Sequence, residues 1–362
     1  MGVLTVGNAG TNAVDAELRK LLESKKAHIK IIGSGGAGNN TISRLMQVGV
    51  VGAEAIVLNT DAQDLLYSDA DLKVLIGKEL TGGLGAGADP KIGEEAAKES
   101  RNDIKKMVDG SDLVFVTCGL GGGTGTGSLP IVADTAKKSG ALTIGVVTLP
   151  FTMEGKQRMD NAKRGLEKLQ PAVDTLIVIP NDRLLEIVPD VSIVSAFKIC
   201  DEILVNSVKG ITELITRPGL VNLDFADVKA VMRDGGLAMI GIGDSDGDNR
   251  AVEAVERALN NPLLDVDVEG AKGALINISG GTDVTIKECK EIVEAIASKL
   301  SPDAKIIWGA QIMKELGETI RAMVVITGVS APQILEYIPV KAKADKSEKK
   351  EIEKILGIEF VK

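Results

Sequence analysis

Five glycines fall within residues 121–127, directly after the apolar run Leu113–Val116 and within the segment Cys118–Ser128. Glycine lets the backbone turn its N–H groups toward a bound anion, and a helix beginning near Ser128 and Pro130 would add its positive N-terminal end. A flexible linker is the alternative, but linkers are polar on both sides, whereas an apolar strand and a helix flank this loop. The pattern therefore predicts that residues 121–127 bind an oligophosphate.

Two more glycine-rich segments follow predicted strands, GSGGAGNN at 33–40 and TGGLGAGADP at 81–90. The first satisfies G-x-G-x-x-G, so an NAD-dependent oxidoreductase is one alternative, with Asp61 as the acid that binds the ribose. A nicotinamide enzyme has no use for the loop at 121–127, and three phosphate-type loops favour a triphosphate over a dinucleotide. The motif G-x-x-x-x-G-K-[ST] does not occur in the sequence, which excludes a Walker-type NTPase.

Three polar residues follow the helix breaker Arg217–Gly219, namely Asn222, Asp224 and Asp227. Carboxylates can orient or deprotonate a water molecule, and the spacing of the two acids also suits the capping of a following helix. The single histidine, His28, precedes the first predicted strand, so a histidine general base is excluded.

Alternating strands and helices must position these groups. From His28 to residue 191 the alternation predicts an α/β fold, a doubly wound parallel sheet whose ligands bind at the carboxyl ends of the strands. Apolar residues recur every three and four positions in 192–216, which predicts a long core helix with Phe197 and Asp201 on one face. This helix joins the sheet to a smaller α+β domain from Gly235, with a mixed sheet and helices on one side. Shorter helices are expected at 40–48, 92–108 and 130–139.

Composition limits the classes of partner. The 362 residues exceed the usual size of one domain and favour two domains with separate cores. Hydrophobic residues make up 44% of the chain and aromatic residues 2%, as in a parallel sheet built from aliphatic residues. The net charge of −9 argues against nucleic acid or anionic lipid as a ligand. Three scattered cysteines and the lack of an apolar run of membrane-spanning length indicate a cytoplasmic protein with no cysteine-bound metal.

The loops together resemble the FtsZ branch of the tubulin/FtsZ family, in its archaeal form. The resemblance extends from about His28 to Val329. It is carried by GSGGAGNN (33–40), NTDAQ (59–63), GLGAG (83–87), GGGTGTG (121–127), TLPFTMEGKQR (148–158), IPND (179–182) and NLDFADV (222–228). It implies a GTPase that polymerises head to tail into protofilaments and forms the cell-division ring at mid-cell.

The resemblance also implies which residues bind GTP or GDP. The loops at 33–40 and 121–127 would hold the α and β phosphates through backbone N–H groups, and the loop at 83–87 would sense the γ phosphate. Glu154 and Arg158 would approach the ribose. The expected nucleotide-binding residues are Gly35, Gly36, Ala37, Asn39, Asn40, Asp61, Ala86, Gly87, Gly121, Gly122, Gly123, Thr124, Gly125, Thr126, Gly127, Glu154, Arg158, Asn181, Phe197 and Asp201.

Base recognition is implied for three of these residues. Phe197 would stack on the base and Asn181 would contact the base or sugar. Asp201 would explain a preference for guanine, because a carboxylate can accept from both N1–H and the 2-amino group, whereas adenine presents an acceptor at N1. Core packing for Phe197 and a solvated helix charge for Asp201 are the alternatives. Mg²⁺ would bind mainly through phosphates and water, without direct side-chain ligands.

The acidic loop would act on a neighbouring subunit. About 15 helical residues separate Asp201 from the breaker, which is ~22 Å of rise, so Asp224 cannot reach the γ phosphate of its own subunit. Asp224 and Asp227, with Asn222 positioning the loop, would therefore complete the catalytic site of the next subunit in a head-to-tail homopolymer. A nucleotide-binding regulator that does not hydrolyse remains the other alternative, although it has no need of these acids.

The charged C-terminal segment would bind a division adaptor or a membrane-anchor protein, or else dock on its own domain. We expect five parts in the chain: an N-terminal arm (1–27), a GTP-binding domain (28–191), the core helix and catalytic acidic loop (192–234), a C-terminal GTPase-activating domain (235–330) and the charged tail (331–362).

Overall fold

A computed structural model describes residues 27–183, 193–217, 219–221, 223–260 and 271–329. Asn222, the N-terminal arm except for Ala27, and the charged tail lie outside the described residues. The strands are β1 (Ile29–Ser34), β2 (Ala53–Asn59), β3 (Leu72–Leu75), β4 (Leu113–Gly119), β5 (Leu142–Leu149), β6 (Thr175–Pro180), β7 (Gly236–Ser245), β8 (Gly273–Gly280), β9 (Lys305–Ile312) and β10 (Ile320–Thr327).

The described α-helices connect these strands. They are α1 (Gly35–Val48), α2 (Ala62–Tyr67), α3 (Lys78–Thr81), α4 (Pro90–Glu99), α5 (Arg101–Val108), α6 (Thr124–Lys138), α7 (Lys156–Leu169), α8 (Ile193–Thr216), α9 (Phe225–Met232), α10 (Arg250–Leu259) and α11 (Ile286–Ala297). None of the helices in the described part of the chain is both long and apolar enough to cross a membrane.

All ten strands form one sheet in the order β3-β2-β1-β4-β5-β6-β7-β10-β8-β9. Strands β1 to β6 are parallel, which confirms the predicted parallel sheet. Strand β10 runs antiparallel to both β7 and β8, whereas β8 and β9 are parallel. The C-terminal sheet is therefore mixed, as predicted.

The prediction of two separate cores is wrong. Strands β6 and β7 pair in parallel over three residue pairs, Thr175–Gly236 to Ile177–Ala238, so the two halves share a continuous sheet. One hydrophobic cluster covers the face that carries α4 to α7 together with α10 and α11. A second cluster covers the opposite face, where α1, α8 and α9 pack. Each face therefore has a core that extends across both domains.

Helix α8 crosses one face of the parallel sheet, from the carboxyl ends of its strands to their amino ends. Near its N-terminus, Phe197 packs against Phe151, which follows the carboxyl end of β5, with ring centroids 5.3 Å apart. At its C-terminus, the Thr216 hydroxyl donates to the carbonyl oxygen of Val51, just before the amino end of β2 (2.8 Å). The residues after α8 therefore lie near the amino ends of the parallel strands.

Three predicted helix boundaries differ from the structure. Helix α1 begins at Gly35 rather than at residue 40, and α6 begins at Thr124 rather than near residue 130. The glycine loops themselves form the first turns, because a Cβ on Gly35 would lie only 2.8 Å from the Gly125 nitrogen, so glycine permits the two turns to touch. The helix predicted over 92–108 is two helices, which meet at Ser100.

Candidate functional site

A cavity of about 270 Å³ opens at the carboxyl ends of β1, β4 and β5. This is the point at which the strand order reverses direction, where doubly wound sheets bind their ligands. Twelve of the sequence-predicted residues line it: Gly35, Gly36, Ala37, Gly122, Gly123, Thr124, Gly125, Glu154, Arg158, Asn181, Phe197 and Asp201.

The floor of the cavity consists of two helix N-termini. Helices α1 and α6 both begin there, so their first N–H groups are available to a ligand and their dipoles favour an anion. A Cβ on Gly122 would meet no heavy atom within 4 Å, so this residue borders open space. The residue chemistry therefore fits phosphate groups held by backbone N–H groups.

The third glycine loop packs against this floor. A Cβ on Gly123 would lie 2.8 Å from the Ala86 Cβ and 2.9 Å from the Asp89 nitrogen. The hydroxyls of Thr60 and Thr124 are hydrogen-bonded at 2.6 Å, and Gly85 N–H donates to the Thr60 carbonyl (3.1 Å). The loops at 33–40, 81–90 and 121–127 therefore form one connected structure.

The opposite wall carries an aromatic ring and a carboxylate one helical turn apart. The Phe197 side chain is 44% exposed, and it meets the Phe151 ring edge to face at 87°. Burial raises the pKa of the Asp201 carboxyl to about 6, while a hydrogen bond with Thr41 acts in the other direction. Asn181 is buried, and its side-chain oxygen has no hydrogen-bond partner among the described residues. This wall can stack on a planar base and accept hydrogen bonds from it.

A tight turn at 152–154 forms the rim next to this wall. The Glu154 carboxylate accepts from the backbone N–H of Phe151 (2.9 Å) and pairs with the Arg158 guanidinium (2.6 Å). Asp182 stabilises the turn, because its carboxylate accepts from both the backbone N–H and the hydroxyl of Thr152 (3.0 and 2.6 Å). Arg158 is the only basic side chain among the described residues that line the cavity.

The acidic loop lies away from the cavity, beyond the C-terminus of α8. Asp224 is the N-cap of α9 and accepts from the Asp227 N–H (2.9 Å), while Asp227 accepts from the Asp224 N–H (3.2 Å). The capping suggested by their spacing is therefore present. The Asp224 side chain remains exposed, so capping leaves it accessible from outside the molecule.

Comparison with known families agrees with this geometry. Residues 28–189 match the model of the tubulin/FtsZ family GTPase domain, and residues 236–330 match the FtsZ family C-terminal domain. The chain is 63% identical to cell division protein FtsZ 1 of Thermococcus kodakarensis over 319 residues, which cover 88% of this chain and 85% of that protein. The chain belongs to the FtsZ family. It is therefore a GTPase of the cell-division cytoskeleton.

Solved structures of FtsZ and related proteins share the fold. An empty FtsZ dimer from M. jannaschii matches with a TM-score of 0.84 and 60% identity, over 87% of this chain and 92% of that chain. CetZ1 from Haloferax volcanii, solved as a GDP-bound monomer, matches with a TM-score of 0.75 and 25% identity, over 86% of this chain and 97% of that chain.

Eight residues that the FtsZ resemblance implied do not line the cavity: Asn39, Asn40, Asp61, Ala86, Gly87, Gly121, Thr126 and Gly127. Several support the loops from behind. Asp61 caps α2, and Asn39 donates to the Asp64 carboxylate (2.9 Å). The Thr126 hydroxyl accepts from the Gly121 N–H (2.9 Å), which holds the turn into α6.

Sequence reasoning missed several residues of this FtsZ site. Cys200 and Leu204 line the cavity, and their helical spacing from Phe197 could have identified them. Burial raises the pKa of the Cys200 thiol to about 12, so it is not a reactive thiolate. Asp64 accepts from the amides of both Asn39 and Asn59. It directly follows the NTDAQ segment and completes the pattern N-x-D-x-x-D at 59–64, which was a usable signal. Asp182 is the last residue of the IPND segment at 179–182, which was its available signal.

Proposed function

We propose that the protein binds GTP in the cavity at the carboxyl edge of the sheet and hydrolyses it only between subunits of a head-to-tail filament. The observation that carries this proposal is the position of α8. Its N-terminal half borders the cavity through Phe197 and Asp201, and its C-terminus is bonded to Val51 at the opposite edge. Asp224, which follows α8 and is exposed, would therefore act on another molecule rather than on the cavity of its own subunit.

Phosphate binding would depend on the backbone more than on side chains. The first turns of α1 and α6 would hold the α and β phosphates, and the 83–87 loop would lie next to the γ phosphate. With Arg158 as the one basic side chain among the described lining residues, the triphosphate needs another source of positive charge. Mg²⁺ would supply it through phosphate oxygens and water, as this ion prefers, and would stabilise charge that develops during hydrolysis.

Guanine selectivity would come from α8. The Phe197 ring would stack on the base, and the Asp201 carboxylate would accept from N1–H and the 2-amino group. The unpartnered buried oxygen of Asn181 fits a ligand with further donors, since buried polar atoms are rarely left without a hydrogen bond. These three residues would account for a preference for GTP over ATP.

Exposed apolar side chains lie beside the nucleotide loops and beside the acidic loop, which supports a head-to-tail contact between subunits. Beside the nucleotide loops, Leu66, Tyr67 and Leu84 are 70%, 78% and 87% exposed. Beside the acidic loop, Leu220 and Val221 are 63% and 37% exposed. Burying these side chains between consecutive subunits would stabilise the contact and exclude bulk water from the shared site. Asp224 and Asp227, with Asn222, would then orient or deprotonate the attacking water.

The protein would act in the cytoplasm at the division site. The charged tail, 331–362, would bind a division adaptor or membrane anchor; this segment lies outside the described residues.

Sedimentation with GTP, GDP, ATP and NAD⁺ in parallel, combined with phosphate release, tests the function. We expect pelleting and turnover with GTP alone, and a turnover per subunit that rises above a critical concentration. Pelleting without turnover would support a non-hydrolysing regulator instead. Turnover per subunit that stays constant on dilution would contradict a site shared between subunits.

A further inference from the structure

Asn161 connects two of the three glycine loops from outside the cavity. It lies on α7, is 4% exposed, and borders a separate groove with Thr126 and Arg164. Its side-chain nitrogen donates to the carbonyl oxygen of Ala88 and to that of Gly121, each at 3.3 Å. One buried amide therefore bonds to the loop at 81–90 and to the loop at 121–127.

Only a carboxamide satisfies these contacts. Its NH₂ group has two hydrogens, one for each carbonyl oxygen. Its oxygen accepts from the Arg164 guanidinium (2.8 Å), which fixes the orientation of the amide. Aspartate has the same size but no N–H groups, so it would direct a carboxylate oxygen at two carbonyl oxygens.

The two bonded carbonyls belong to residues with left-handed backbone conformations. Ala88 has φ of 60° and Gly121 has φ of 106°. This conformation is unfavourable for alanine, so it needs support from its surroundings. The peptide that follows Ala88 is held at both ends, because the Asp89 N–H donates to the Ala86 carbonyl (3.0 Å).

Bonding to the Gly121 carbonyl also orients the neighbouring N–H. A planar trans peptide directs its C=O and N–H in opposite directions. Since the Gly121 carbonyl faces Asn161, the N–H of Gly122 faces away from it, and Gly122 lines the cavity. Gly123 and Ala86 bring the two loops into close contact. The two hydrogen bonds of Asn161 are made to the peptide carbonyls of these loops.

We propose that Asn161 is a positioning residue that couples the loop expected to sense the γ phosphate to the loop expected to hold the β phosphate. This inference rests on the proposed GTP site. Asn161 makes no contact with the nucleotide in this role. Its effect is on how well the two loops bind a triphosphate together, and hence on discrimination between GTP and GDP.

The test is the variant Asn161→Asp, titrated calorimetrically with a hydrolysis-resistant GTP analogue and with GDP. We expect affinity for the triphosphate analogue to fall about tenfold, the scale of one or two lost hydrogen bonds, and affinity for GDP to fall distinctly less. Gln47→Glu makes the same change of amide to carboxylate at an exposed position in the last turn of α1, away from the cavity, and should leave both affinities unchanged. Thermal unfolding of the nucleotide-free proteins reports any general loss of stability.

Equal losses for both nucleotides, or no loss for either, would overturn the coupling role. If Asn161→Asp does not fold, Arg164→Met replaces it. This exposed residue donates to the amide oxygen of Asn161 and to the Asp160 carbonyl, both on α7. A smaller change in the same direction is expected, and equal losses would again overturn the proposal. Failure of the unmodified protein to bind the GTP analogue would instead reject the proposed function.

Discussion

Asp201 has two properties that suit recognition of a nucleotide base. It is half-buried, and it borders the cavity on the same helical face as Phe197. We predict that Asp201→Ala weakens GTP binding by roughly 1.5–3 kcal/mol, the scale of hydrogen bonds to a charged group, with little effect on ATP. Calorimetric titration with both nucleotides measures this difference. Equal losses for GTP and ATP would contradict recognition of guanine by this side chain.

The raised pKa of Asp201 adds a pH dependence to the same contact. Below its pKa of about 6 the carboxyl of the free protein is protonated and must lose its proton before it can accept from both guanine donors. Affinity for GTP should therefore be level near pH 7 to 8 and should decrease as pH falls through 6, by up to about tenfold per pH unit. Titrations from pH 5 to pH 8 measure the effect.

A control is needed because the γ phosphate of the nucleotide can titrate in the same range. Asp201→Asn retains the size of the side chain but has no carboxyl to protonate. We expect a shallower pH profile for this variant than for the unmodified protein. Identical profiles for the two proteins would show that the titrating group lies elsewhere.

Asp224, at the start of α9, has two roles, and a single substitution can affect both of them. Asp224 caps the helix and, in our proposal, also acts on water in the neighbouring site. Asparagine is about as good an N-cap as aspartate, whereas alanine costs about 1 kcal/mol of helix stability. Comparing Asp224→Asn with Asp224→Ala therefore separates stability from chemistry.

We predict that both Asp224 variants bind GTP normally. Their rate of GTP hydrolysis should fall by a factor of about 10²–10⁴, the usual contribution of a general base. Only Asp224→Ala should also lower the thermal unfolding temperature. Phosphate release, nucleotide titration and calorimetric unfolding provide the three measurements. Turnover that survives in Asp224→Asn would show that capping, rather than the carboxylate, is what the loop supplies.

Across the whole subunit, α8 separates the cavity from the acidic loop on one continuous sheet, so each filament contact would complete one active site. Two variants with complementary defects test this. Gly122→Asp places a carboxylate where no atom lies within 4 Å of the added Cβ, so it should repel phosphate without disturbing the packing. Asp224→Asn keeps the cavity intact and lacks the acid.

Neither variant alone should hydrolyse GTP at an appreciable rate, and mixing them should restore part of the activity. In mixed filaments the intact acidic loop of Gly122→Asp meets the intact cavity of Asp224→Asn. Sedimentation of the mixture shows whether both proteins enter the same filaments. Co-pelleting without any recovery of phosphate release would contradict the shared site.

The glycine loops and α8 are the parts that local sequence could predict. Glycine-rich turns after apolar strands indicate phosphate binding, and twelve of the residues implied for the nucleotide do line the cavity. The period of three and four places Phe197 and Asp201 together and gives α8 almost its observed length. Both features depend on neighbouring residues, since the helical period and the conformational freedom of glycine act over a few positions.

Tertiary structure alone determined how these parts meet. The first turns of α1 and α6 form within the glycine loops because the two loops touch, and the sheet is continuous because β6 pairs with β7. Asn161 lies 73 positions from Ala88 and 40 from Gly121, and no spacing rule relates them. Its two hydrogen bonds exist because packing brings α7 against both loops, and a contact between distant segments leaves no periodic pattern in the sequence.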